Sequence, residues 1–243
     1  MTDGRVPLDE IFVSPESKQR YVRRLFSTIA DRYDLITILL SFGLDRRWKR
    51  RVVALAMPRA GQHALDLACG TGDLTLAVAG RGAKVVGLDV TRRMIELARA
   101  KVRETDSGSV WFLVGDMGAV PFKDGGFDLV TTGYGLRNVP DITTAIREIY
   151  RVLRPGGVLV SLDFNRPEHS AVRAIYLGYL TVIGSALGWV LHRDPDTYRY
   201  IPASIRRYPG AARVASLLTA EGFATAEWVP VLGGLLSIHV ARK

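Results

Sequence analysis

The sequence is most easily placed by what it lacks. One cysteine, Cys69, stands in 243 residues, so no intramolecular disulfide can form and the chain suits a reducing compartment. Cys69 itself reads as a small residue packed beneath a turn. The four histidines, at 63, 169, 192 and 239, have no metal-ligand spacing, and no metal is expected. Residues 1–17 carry no basic-then-apolar signal pattern, which fits a cytoplasmic product. There is no internal repeat and no low-complexity tract. Two phosphate-binding motifs are also missing. Leu74 and Thr75 follow Gly72-Asp73 where Gly-x-Gly-x-x-Gly would need its third glycine, and no Gly-Lys-Ser/Thr occurs. A dinucleotide and a nucleoside triphosphate are therefore disfavoured.

What is present is organised around Leu65-Asp66-Leu67-Ala68-Cys69-Gly70-Thr71-Gly72-Asp73. The apolar run Ala64 to Ala68 ends at a Gly-Thr-Gly turn, and a helical pattern with Leu74, Leu76, Ala77 and Val78 follows. Strand, glycine turn and helix let backbone N–H groups approach a ligand at the carboxyl edge of an α/β sheet. Seventeen residues after Gly72, the run Lys84 to Leu88 reads as a second buried strand ending at Asp89. An acid at that tip is placed to accept both hydroxyls of a ribose. A third strand, Val110 to Val114, ends in Gly115-Asp116-Met117, where an acid can meet the exocyclic amine of an adenine. A ligand with an adenosine and no pyrophosphate points to S-adenosylmethionine, and the order of motifs resembles the class I methyltransferases. The plain alternative is a tight βα turn with surface acids.

At this length the chain can form one α/β domain with a sizeable core, or a domain plus a lid. Its net charge of +9 is uneven. Ten Lys/Arg face three Asp between Arg20 and Arg59, and five Arg face two Asp between His192 and Arg213. The catalytic core is thus near neutral while two flanking segments are basic. That distribution suits an acidic partner surface, anionic lipid or RNA, although a solvated basic face is the ordinary alternative.

Taken in order, residues 1–17 read as a flexible tail and 18–60 as N-terminal helices able to close over a ligand. Lys18 to Ala30 carries Tyr21, Val22, Leu25, Phe26 and Ile29 at helical spacing. Leu35 to Leu40 and Trp48 to Ala56 follow, separated by Ser41-Phe42-Gly43. The fourth strand is expected at Phe127 to Thr132, and Pro140 and Asp141 start a helix through Leu153 that Pro155-Gly156-Gly157 would cap. The fifth strand is expected at Val158 to Phe164, a helix at 211–221, and closing strands at Phe223 to Val229 and Leu235 to Val240. The whole reads as a doubly wound, Rossmann-like, mostly parallel seven-stranded sheet over 18–243, with an inserted lid at 167–213 between strands five and six. Within that lid Ala174 to Leu191 contains no charge and is bracketed by Arg173 and Arg193. Length and hydropathy reach the lower edge of a membrane span. A crossing would, however, separate strands that belong to one sheet. A buried core helix and a helix lying along a bilayer surface are the two remaining readings, and the second is favoured.

Further motifs carry a specific resemblance. Tyr33-Asp34-Leu35 through Ser41-Phe42-Gly43, Arg46-Arg47-Trp48-Lys49, Gly135-Leu136-Arg137-Asn138-Val139, and Asp196-Thr197-Tyr198-Arg199-Tyr200 with Ser204-Ile205 resemble the ubiquinone/menaquinone-biosynthesis C-methyltransferase family from about residue 18 to the end. A late Gly-Gly…His near His239 agrees. Tyr150 to Gly157 is shared with many methyltransferases and adds less. The resemblance implies methyl transfer from S-adenosylmethionine to a ring carbon of a polyprenylated quinol precursor, at the inner face of a membrane. It implies that Thr71, Asp89, Asp116 and Met117 line the cofactor site. Gly133 belongs there too, although the family usually has a serine at its place. Asp66, Gly70, Gly72 and Tyr33 complete the expected cofactor set. Thr37 and Asp45 stand where the family tends to have asparagine and histidine, which bears on the choice of acceptor.

Methylating an aromatic carbon requires the neighbouring hydroxyl to lose its proton. A phenol with a pKa of about 10 is roughly one part in a thousand ionised at pH 7, a gap worth about 4 kcal/mol. A cation and a neutral donor beside the oxygen supply part of that, and Arg137-Asn138 are chosen for the pair. The plain alternative makes Arg137 a structural ion pair and Asn138 a helix cap. His239 and Tyr200 are the acid/base candidates, against simple packing. Two other functions are kept in view: a methyltransferase for another phenol or polyketide, and an RNA-binding or RNA-modifying protein. The second is weakened by the absence of an RNA-recognition strand motif, so no nucleic-acid partner is expected. A homodimer is left open.

Overall fold

The computed structural model describes residues 8–102 and 108–243. Seven strands form one sheet in the order β3-β2-β1-β4-β5-β7-β6. They are β1 (His63–Leu67), β2 (Lys84–Asp89), β3 (Val110–Val114), β4 (Phe127–Gly133), β5 (Leu153–Phe164), β6 (Thr225–Val231) and β7 (Leu236–Arg242). β1 to β5 run parallel, and β7 pairs antiparallel with β5 and β6. Parallel strands buried on both faces need continuous apolar runs, and Leu65, Leu67, Val85, Leu88, Val130 and Val160 are fully buried.

Helices α4 (Asp45–Ala56), α5 (Asp73–Ala79) and α6 (Arg92–Ala100) cover one face. The other face carries α7 (Ile142–Val152) and α10 (Ala211–Ala220). The strand order reverses between β1 and β4, which run parallel, and in a sheet of this kind ligands bind at the carboxyl ends beside that switch point. Backbone strain gathers there. Ala68 and Tyr134, just past the tips of these two strands, have φ of 52° and 62°, a region non-glycine residues enter at a cost of about 1–3 kcal/mol. Gly135 cannot be replaced at this crowded point, because a Cβ would stand 2.3 Å from Thr132 Oγ1 and 2.9 Å from Ala68 Cβ.

Above this edge lie two further layers. One comprises α1 (Leu8–Ile11), α2 (Pro15–Ile29) and α3 (Tyr33–Leu40). The other comprises α8 (Ser170–His192) and α9 (Tyr200–Arg207). Ile11, Val22, Leu25, Ile29 and Ile36 pack with Tyr198 and Tyr200 into a separate small core. The expected tail is therefore shorter than 1–17. Residues 1–7 lie outside the described residues, Ile11 is fully buried, and α2 starts at Pro15 with the Ser14 hydroxyl accepting from Ser17 N.

Two more boundaries moved. α7 ends at Val152, and Pro155-Gly156-Gly157 belongs to β5 instead of capping a helix. The reason is a distant partner: Gly156 N donates to Lys243 O and Lys243 N donates to Gly157 O. β6 lies two residues later than expected and carries Pro230, tolerated on an edge strand that needs no second ladder.

The uncharged stretch lies within one 23-residue helix, α8, long and apolar enough by composition to span a membrane. The sheet excludes a crossing, since β5 before it pairs with β7 after it. Tyr176, Leu180, Gly184 and Gly188 form its buried stripe. Gly188 is required by close approach, because a Cβ would meet Asp194 O at 2.4 Å. Val172, Ile175, Val182, Trp189 and Val190 remain exposed.

Candidate active site

The turn after β1 is built from below by Asp66. Its carboxylate is fully buried and accepts from Thr75 Oγ1 at 2.6 Å and Thr131 Oγ1 at 2.8 Å. Burial pushes it up to about 6 against those two hydroxyls. Asp66 therefore braces the turn and stays out of the cavity beside Asp89. Gly72 also stays out of that cavity: its left-handed backbone starts α5. Thr71 is buried, donating to Asp34 Oδ1 at 2.6 Å and accepting from Lys101 Nζ at 2.9 Å.

The remaining expected cofactor residues converge. Tyr33, Gly70, Asp89, Asp116, Met117 and Gly133 line one cavity of about 80 Å³ above β1, β2 and β4. Asp89 is fixed by two backbone donors, Gly70 N at 2.9 Å and Thr91 N at 2.8 Å. Burial raises its pKa despite them. Asp116 accepts from Gly118 N at 2.8 Å and from the Gln19 amide. Each carboxylate oxygen keeps a second lone pair for a ligand. Two carboxylates at adjacent strand tips, facing one cavity floored by a glycine turn, fit the hydroxyls and amine of an adenosine. Helix α2 lies over the same cavity with Gln19, Val22 and Phe26. Its Lys18 Nζ donates to the carbonyls of Arg137 and Val139. Burial first, and the Arg137 charge second, depress Lys18 to about 8.

A second, larger cavity of about 580 Å³ adjoins the first, and Phe26, Tyr33, Tyr134 and Asn138 line both. Apart from Arg137 and Asn138 its walls are almost wholly apolar and aromatic: Leu25, Ile29, Leu40, Trp48, Phe164, Tyr176, Leu180 and Tyr198 among them. Arg137 enters this cavity while its Nε lies 3.3 Å from Asp163 Oδ1, with side chains 4% and 0% exposed. Its Nη1 also donates to Ser204. The ion-pair alternative is thus present together with a place at the site. The helix-cap alternative for Asn138 fails, because Asp141 caps α7 through Thr143 N at 2.9 Å. Asn138 Nδ2 donates to Tyr134 O at 2.8 Å, and its buried Oδ1 has no partner. Tyr200 also lines the large cavity, and its buried hydroxyl has no partner.

His239 does not belong to the site. It sits fully buried in β7, its Nε2 3.0 Å from Ala211 O, and borders neither cavity. Burial lowers its pKa, which keeps a core histidine neutral. No group of three or more metal-binding side chains occurs among the described residues. Three site residues escaped the sequence reading: Tyr134, Lys49 and Asp163. Tyr134 Oη donates to Asp45 Oδ1 at 2.9 Å, and Lys49 Nζ lies 2.7 Å from Asp45 Oδ2. Two of the three carried a sequence signal, Tyr134 inside the Gly133-Tyr134-Gly135 turn and Lys49 at the end of Arg46-Arg47-Trp48-Lys49; Asp163, inside β5, carried none.

The doubly wound sheet with two strand-tip acids beside a glycine turn defines an S-adenosylmethionine-dependent methyltransferase. Solved structures agree on the fold. A Thermotoga maritima S-adenosylmethionine-dependent methyltransferase superposes with a TM-score of 0.63 at 18% identity, covering 90% of this chain and 99% of that one. One from Aquifex aeolicus gives 0.57 at 17% identity, over 80% and 88%. Residues 14–243 match the model of the ubiE/COQ5 methyltransferase family, and the chain belongs to that family. It is 43% identical to the demethylmenaquinone methyltransferase of Thermus thermophilus, over 90% of this chain and all of that one. It is 36% identical to the ubiquinone/menaquinone biosynthesis C-methyltransferase UbiE of Proteus mirabilis, over 95% and 94%.

Proposed function

We propose that the protein methylates a ring carbon of a polyprenylated quinol precursor, demethylmenaquinol or a close relative, at the surface of an anionic membrane. The observation that carries this reading is the large apolar cavity with a single polar corner. A quinol ring needs polar contacts at its hydroxyls, and an isoprenoid tail needs none. S-adenosylmethionine supplies an electrophilic sulfonium methyl. The chain's task is to raise electron density on the acceptor carbon and hold it in line.

Arg137 and Asn138 hold the ring oxygen, the guanidinium favouring the phenolate and the carboxamide fixing its direction. Asp163 keeps the guanidinium aimed. The hydroxyl proton leaves to water, because burial keeps the Tyr200 phenol protonated and able only to donate to the ring oxygen; the methylated carbon then loses its own proton to water and the ring regains aromaticity. Phe42, Val172, Ile175 and Leu232 border the cavity and are strongly exposed, which suits a mouth that opens into lipid. Exposed arginines on α4 (46, 47 and 50) would meet the headgroups, each adding about 1 kcal/mol near an anionic surface. Attachment is then peripheral.

Quinone profiling of a strain lacking the gene tests the proposal. Accumulation of the demethylated quinone is expected. An unchanged quinone pool would favour another phenolic acceptor and overturn it.

A further inference from the structure

A third, small void of about 20 Å³ lies beside the Gly70-Thr71-Gly72 turn, and it holds charge that the roles above leave unused. Its walls include Lys49, Asp66, Thr71 and Asp73, and it shares Tyr33, Ala68, Gly70, Gly133 and Tyr134 with the cavity that carries Asp89 and Asp116. Lys49 reaches it from α4, a helix that otherwise packs on the sheet. Its ammonium is 2.7 Å from Asp45 and 3.1 Å from Asp73, and the side chain is only 15% exposed. Burial opposes its charge, but Asp45 and Asp73 outweigh burial and hold Lys49 above the ordinary lysine range. It is cationic throughout neutral pH. Across the void Gly133 offers no side chain, and a Cβ there would meet only Leu74 Cδ2 at 3.9 Å.

We infer that Lys49 binds the carboxylate of the amino-acid end of S-adenosylmethionine in this void. The inference rests on Asp89 and Asp116 taking the nucleoside end. Those two acids attract hydroxyl and amine donors and repel a carboxylate, so the ligand's anionic group must point away from them. Within the void Asp66 and Asp73 suit the ligand's α-ammonium, and Lys49, the one cation among the residues that line it, is the complementary partner of the carboxylate. Asp73 is 40% exposed and can give up Lys49 to a ligand at little cost, because half-solvated ion pairs contribute little. Asp45 stays in place through Tyr134 and continues to balance the ammonium. With the two ends so fixed, the sulfonium falls between them beside Tyr33 and Tyr134, which border all three cavities.

The test is calorimetry with two ligands, S-adenosylhomocysteine and 5′-methylthioadenosine, which share the nucleoside and differ in the amino-acid end. Lys49→Met should weaken S-adenosylhomocysteine about 10- to 100-fold, the worth of one charge-assisted contact. It should leave methylthioadenosine within about twofold, since that ligand makes no such contact. The double variant Asp45→Asn/Lys49→Met, in which no buried carboxylate is left unpaired, should show the same split if the single variant folds poorly. Equal weakening of both ligands, or no weakening of either, overturns the inference. A wild-type protein that binds neither ligand would instead refute the nucleoside site itself.

Discussion

Removing Arg137 separates its structural role from its chemical one. Its guanidinium faces Asp163, Ser204 and the Phe164 ring, the last at 5.2 Å from the ring centroid. Asp163 also accepts backbone N–H groups from Arg137 at 2.9 Å and Phe164 at 2.8 Å. Arg137→Met leaves that carboxylate buried without its cation, at a cost of about 3–5 kcal/mol in stability. Burial raises the Asp163 pKa and the Arg137 charge is the main force opposing it. In the variant the folded pKa rises further above its unfolded value. The penalty is then fully present above the folded pKa and is lost as pH falls toward the unfolded one. The stability gap between wild type and variant should accordingly narrow from pH 8 to pH 5 in urea denaturation. Adding Asp163→Asn should recover most of the stability, because no buried charge remains. Turnover should stay roughly 100-fold or more below wild type. Affinity for S-adenosylhomocysteine should hold within about threefold, since neither side chain lines the cofactor cavity. A gap independent of pH, or turnover restored in the double variant, would refute the reasoning.

Asp89→Ala should cost cofactor binding about 2–4 kcal/mol, read by calorimetry, and affinity within twofold of wild type would remove Asp89 from the ribose. Gly133→Ser should fold normally and bind S-adenosylhomocysteine at least as well as wild type, given the room beside it; a loss beyond about threefold would show the space is needed by the ligand. Flotation tests the membrane face: wild type should rise with anionic vesicles, roughly 0.5 M salt should release much of it, and Ile175→Asp with Val182→Asp should abolish flotation without unfolding. Leu180 is unsuited to that test, since it is 4% exposed and part of the buried stripe. Persistence of flotation in the double aspartate variant would place the contact elsewhere.

The parts of the molecule that were legible in the sequence are those whose causes are local. The β1 turn, Asp89 and Asp116 follow from strand, turn and helix within a few dozen residues. The sequence also marked Arg137 and Asn138, but Asp163 and Ser204, which aim the guanidinium, arrive from strands and helices far along the chain. The place of His239 is hidden for the same reason: only the packing of α10 against β7 shows that its Nε2 is spent on Ala211 O and that the ring lies away from both cavities. The Pro155-Gly156-Gly157 segment looks like a helix stop until Lys243 returns to pair with it. The lid helix shows both sides of the problem. Its apolar length was plain, whereas the stripe of Tyr176, Leu180, Gly184 and Gly188 that faces inward emerges only when residues 194–198 pack against it.

The central claim is carbon methylation of a prenylated quinol. Its most direct measurement is incubation of the purified protein with trideuteromethyl S-adenosylmethionine and demethylmenaquinol in anionic vesicles, followed by carbon-13 and deuterium spectroscopy of the product. A deuterated methyl bonded to a ring carbon is expected, with loss of that carbon's hydrogen. A methyl ether on the quinol oxygen, or no transfer while the protein still binds S-adenosylhomocysteine, would contradict it.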